Sequence, residues 1–104
     1  MQLQFKEGVK LTITKAVNEL LQAGVEAFAL VKKPCVVTSG CDGQHQVNSK
    51  HYTNEAIDLR TFHLQGNELD TVVQALKRTL GQDFDVVVEA SHLHLEHDPK
   101  GMKG

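Results

Sequence analysis

The chain of 104 residues has no tryptophan, one tyrosine, two prolines and two cysteines, and each scarcity excludes something. Two cysteines make no disulfide framework, and Cys35 and Cys41 form no C-x-x-C zinc arrangement, so Cys35 is expected inside a strand and Cys41 in a loop. No window approaches the roughly 18 apolar residues of a membrane span, and Met1 to Gly8 has no apolar stretch of the kind that directs export. No signal peptide and no membrane span are therefore expected, and synthesis in the cytoplasm is. Charge of one sign is also missing, with 11 Lys and Arg against 13 Asp and Glu for a formal net charge of -2. The cations are scattered and form no basic run with aromatics, so no nucleic-acid partner is expected. There is no internal repeat. What remains, 40% hydrophobic and 23% charged residues, is the composition of a globular protein, and the length suits a single domain over 1–104, expected to be a monomer.

Ile13, Ala16, Val17, Leu20 and Leu21 recur at helical spacing, which predicts an amphipathic helix from about residue 10 to Ala23. Gly24 interrupts or ends it there, and Val25 to Val31 reads as helical until Pro34 stops it. Cys35 to Ser39 is short and β-branched, a strand that enters a long polar loop from Gly40 to Asn54. Loops of that length in a small domain tend to be functional. Glu55 to Arg60 alternates, with Ala56, Asp58 and Arg60 on one face and Ile57 and Leu59 on the other. Asn67 is the expected N-cap of a second helix, Leu69, Val72, Val73, Leu76 and Leu80 its apolar stripe and Gly81 its end. Phe84 to Glu89 and His92 to Glu96 read as strands joined tightly, or through a bulge, at Ala90-Ser91. The predicted architecture is α+β, a small antiparallel sheet with helices packed on one face.

Two stretches in opposite halves of the chain carry side chains that a divalent metal accepts. In a strand, residues two apart share a face, so His92 and His94 project together while Leu93 and Leu95 turn to the core. His51 and Asp58 complete a set of two histidines and one carboxylate with a position left for water. Taken singly each residue has a plainer reading: His51 as a polar loop residue, Asp58 paired with Arg60 or a lysine, His92 and His94 as one exposed strand face, and Glu89 as a solvated strand end. His63 and His97 read as surface residues.

The pattern Ser49-x-His51 followed by Asp58, with Ala56 two residues before it, and the later Glu89-x-x-His92-x-His94 resemble the zinc D-alanyl-D-alanine carboxypeptidase and L-alanyl-D-glutamate endopeptidase family. That family belongs to a wider group that includes lysostaphin and the hedgehog signalling domain. The resemblance covers roughly Val36 to Pro99. It implies a Zn2+ cofactor on the open face of the sheet, with His51, Asp58 and His94 as ligands and His92 as an active-site residue. In the alternative match His92 is the ligand and Glu89 the general base. Thr38-Ser39-Gly40 resembles the strand end that opens the substrate loop, which makes Ser39 and Ser49 substrate-binding candidates, and His45 is a candidate oxyanion donor by its place in that loop. Such a set performs hydrolysis: the metal brings the pKa of a bound water to about 7, and a nearby Glu or His carries the proton.

The implied activity is that of a peptidoglycan hydrolase acting on stem peptides, as a phage or prophage endolysin or a small bacterial wall-remodelling enzyme that reaches the wall by release or by another export route. Two departures refine this. Asn54 stands where the family has glycine, a tolerable exchange in a left-handed conformation. The arginine that follows the Ser-Gly pair in carboxypeptidase members, and grips the substrate carboxylate there, is replaced by Cys41-Asp42-Gly43. An endopeptidase cleaving between L-Ala and D-Glu is therefore expected rather than a D-Ala-D-Ala carboxypeptidase. The rival expectation is a non-catalytic module of the same fold that keeps the zinc and uses its groove to bind a peptide or protein.

Overall fold

Thr14 decides where the first helix begins. Its Oγ1 accepts a hydrogen bond from the Val17 amide at 3.1 Å, which satisfies one of the donors that a helix N-terminus leaves open. The computed structural model, which describes residues 2–40 and 55–99, accordingly starts α1 at Lys15 and runs it to Ala29, later than residue 10 and through Gly24 rather than up to it. Gly24 is there for proximity. A Cβ at this position would stand 2.9 Å from Cys35 Sγ and 3.3 Å from Leu59 Cδ1, so only glycine lets α1 lie this close to the sheet. The second helix, α2 (Glu68–Leu80), carries the expected stripe and ends at Gly81, whose φ of 77° suits a residue without a side chain. Asn67 occupies the N-cap position but makes no side-chain cap bond. The Glu68 carboxylate instead accepts from the Gln65 amide at 2.8 Å and from Lys33 Nζ at 2.9 Å, tying the helix start to the turn after α1.

Five strands form one sheet: β1 (Leu3–Phe5), β2 (Cys35–Ser39), β3 (Ala56–Arg60), β4 (Phe84–Val88) and β5 (His92–His97), in the order β1-β2-β3-β5-β4. Four of these were expected. The fifth, β1, pairs in parallel with β2, so the sheet is mixed rather than wholly antiparallel. Parallel neighbours need a crossover, and α1 provides it. The pairing extends on both sides of β1, with Cys35 N donating to Gln2 O and Lys6 N to Val37 O. Strands β4 and β5 form a hairpin in which Glu89 N donates to His92 O at 2.9 Å, leaving Ala90 and Ser91 as its tip. A register shift between Val37 and Ser39 puts a bulge in β2 opposite Asp58.

Both helices cover one face of the sheet, as expected of this α+β arrangement. Val17, Leu20 and Phe28 of α1 and Val72 and Leu76 of α2 pack with Cys35, Val37, Ile57, Leu59, Leu93 and Leu95, all fully buried. Burial pushes the Cys35 thiol up to about 12, so it sits in the core as an uncharged, unreactive group. His63 is less of a surface residue than its sequence context implies: its ring stacks on Phe28 at 5.7 Å and its Nε2 lies 2.9 Å from Pro34 O. No helix among the described residues is long and apolar enough to cross a membrane.

Candidate functional site

Because the apolar residues of β3 and β5 are turned to the helices, their alternate residues stand together on the opposite face. The register puts Asp58 across from His94, Arg60 across from His92 and Ala56 across from Glu96. Asp58 is the one charged residue buried among those described, only 8% exposed. A carboxylate removed from water is costly unless it is paired, and Asp58 is paired through both oxygens. Oδ1 lies 3.1 Å from His94 Nδ1 and Oδ2 lies 3.6 Å from His92 Nε2.

His94 is held from both sides. Its Nε2 lies 2.7 Å from Glu96 Oε1 while its Nδ1 faces Asp58, so the imidazolium donates a hydrogen bond to a carboxylate at each ring nitrogen. The bond to Asp58 is the largest cause, burial opposes it, Glu96 adds to it, and the outcome is a His94 pushed up to about 9. His92 is more open, with Ser91 Oγ 3.3 Å from its Nδ1.

The sequence-predicted residues divide into three groups. Asp58, His92 and His94 stand together, both histidines against the one carboxylate. Ser39 ends β2 at the rung opposite Asp58, and Glu89 sits at the mouth of the β4–β5 hairpin, exposed and without a side-chain hydrogen bond or ion pair among the described residues. His45, Ser49 and His51, together with Cys41, lie outside the described residues. Sequence reasoning missed Glu96, although carrying the alternation one step past His94 would have found it. It also missed Asp85 and Asp98, which with Glu96 bring one carboxylate oxygen each within 4.8 Å of one another, a group that could hold a cation. Asp85 reaches it through the β4–β5 register, in which it faces Glu96.

The 3.1 Å between His94 Nδ1 and Asp58 Oδ1 is that of a direct hydrogen bond, and a zinc ion held by this pair would have to replace the Nδ1 proton. A histidine that binds a metal through one ring nitrogen characteristically donates the other N–H to a carboxylate, which is where Glu96 stands. Asp58 and His94 would thus be two ligands, and the remaining protein ligand would have to come from elsewhere in the chain. No model of a known protein family matches the chain, and no curated protein matches it.

Proposed function

We propose that the protein is a zinc-dependent peptidase that cleaves peptidoglycan stem peptides from within, between L-Ala and D-Glu. The observation that carries this reading is Asp58 buried on a sheet face, one oxygen on His94 and the other toward His92, with Glu96 behind His94. In this reading Asp58 and His94 are zinc ligands and His51 is the third. The zinc, when bound, supplies Lewis acidity toward the peptide carbonyl and toward water. The chain's own residues do the rest. Glu96 fixes the His94 ring and its tautomer. His92, partly open to solvent and steadied by Asp58 and Ser91, holds and moves the proton that the leaving amine requires. Glu89, with no partner among the described residues to orient it, is the weaker base. Action at the wall, as an endolysin or a wall-remodelling enzyme, belongs to the same proposal.

Metal analysis of the purified protein and mass spectrometry of digested cross-linked peptidoglycan test it together. The expected result is about one zinc per chain, lost in His51→Ala, Asp58→Ala and His94→Ala but kept in His92→Ala, whose turnover falls by roughly 10² to 10⁴. New N-termini should appear at D-Glu. Full zinc retention in the Asp58 and His94 variants would remove the site. Stoichiometric zinc without any cleaved product would leave a peptide-binding module in its place.

A further inference from the structure

We propose that a cationic pocket beside Asp58 and His92 binds a carboxylate of the substrate peptide, with Arg60 as the residue that determines this specificity; the proposal rests on the peptidase reading and adds the substrate's charge to it. The pocket has a volume of about 270 Å³ and is lined by Lys6, Thr38, Arg60, Phe62, Ser91 and His92. Two permanent cations, two hydroxyls and an imidazole meet there, and no carboxylate among the described residues lines it. In a chain of net charge -2, that concentration of donors on the candidate site's own face favours an anion.

Arg60 is placed to receive one. It shares the open face of β3 with Asp58, two residues away, and lies across from His92 on β5. Its guanidinium carbon sits 4.8 Å from the centre of the Phe62 ring, which is 76% exposed, so the planar group is supported on one side by an aromatic wall. Its Nε is buried, with no hydrogen-bond partner among the described residues, so the donors that can face a ligand are the terminal Nη groups. A carboxylate meets the end of an arginine fork through two parallel bonds, which these two groups can supply. Thr38 and Ser91 add hydroxyl donors, and Lys6, one residue beyond β1, adds the second charge.

The spacing narrows the substrate further. Residues two apart on a strand are separated by about 6.5–7 Å, a two-residue step of an extended peptide, so an anion on Arg60 belongs within about two residues of a bond held near Asp58. A glutamate joined to its successor through the γ-carboxyl keeps its α-carboxylate free at that place. Arg60 thereby provides from β3 the carboxylate contact that the loop after Gly40 lacks.

The test uses the zinc-loaded protein and two synthetic peptides containing L-Ala-γ-D-Glu-L-Lys, one with the glutamate α-carboxylate free and one with it as a carboxamide. Binding is followed by titration of the Arg60 Nε–H resonance, and cleavage by kcat/KM. The carboxylate peptide should be favoured about tenfold or more, what one charge-assisted hydrogen bond provides, and should move the Nε–H signal. In Arg60→Gln that preference should collapse toward unity and in Arg60→Lys survive in part, with zinc content checking that both variants fold. Equal treatment of the two peptides by the unaltered protein, binding of neither, or an undiminished preference in Arg60→Gln would overturn the proposal. Carboxylate-selective binding without cleavage would leave the pocket standing and remove the peptidase reading. Cleavage without selectivity would do the reverse.

Discussion

On one side of β3 and β5, Ile57, Leu59, Leu93 and Leu95 are fully buried with the helices; one residue along, on the other side, Asp58 divides its carboxylate between two histidines. The two faces share a backbone, and the difference between them shows how the site is held. A slip of one residue in the β3–β5 register would exchange the faces and bury His92 and His94 among leucines, so the apolar side enforces the register that sets Asp58 opposite His94. Geometry on the polar face is thus secured by packing on the face it never touches.

Breaking the apolar side should have the largest effect. Leu93→Ala removes a fully buried side chain from the centre of the cluster and should lower unfolding free energy by about 2–5 kcal/mol in urea titration. Next comes a change on the polar face that leaves the core alone. Glu96→Gln keeps the shape but weakens the charge-assisted bond to His94, and on the proposed zinc reading the metal affinity measured by chelator competition should fall about 10–100-fold. If stability fell as far as in Leu93→Ala, the two faces would not be separable.

The third effect is a pH dependence confined to the polar face. His94 is pushed from an ordinary 6.5 up to about 9 in the fold, so its imidazolium is favoured by folding. The stability this provides is fully present below about 6.5, the unfolded value, and is lost as pH rises through about 9. For the metal-free protein the loss between pH 6 and pH 10 should be about 1–2 kcal/mol once solvent screening is allowed for, and it should vanish in His94→Gln. The smallest effect lies off both faces: Thr14→Ala removes the helix cap and should cost about 1 kcal/mol while leaving the pH dependence from His94 unchanged.

Much of this contrast was legible from alternation alone. Ile57-Asp58-Leu59 and His92 to Glu96 announce two opposed faces because strand periodicity is strict and the residue types differ sharply. What escaped was fixed by partners distant in sequence. Three residues, Leu3 to Phe5, are too few to show a period, and β1 exists because Cys35 to Val37 offer it an edge. Gly24 reads as an interruption or end between two helical stretches, yet the helix runs through it and its role comes from Cys35 and Leu59. Arg60 looks like one more strand residue until Lys6, Phe62 and His92 are seen around it. Asn67 stands at the N-cap as expected but makes no side-chain cap bond, and what ties down the helix start is Glu68 through Lys33, a partner distant in sequence.

The parallel edge strand has a consequence for motion. β1 is three residues long, all of them exposed, and borders the sheet on one side only, whereas β3 and β5 are central and their apolar side chains wholly buried. Opening free energies follow such differences, so amide hydrogens at Lys6 and Cys35, which bond across the β1–β2 seam, should exchange with solvent well before those of Ile57 and Leu93. Lys6 would leave its pocket whenever this edge peels away, while Asp58 and His94 stay locked in the centre. The two halves of the polar face therefore belong to separate cooperative units, one that breathes and one that opens only when the whole domain does.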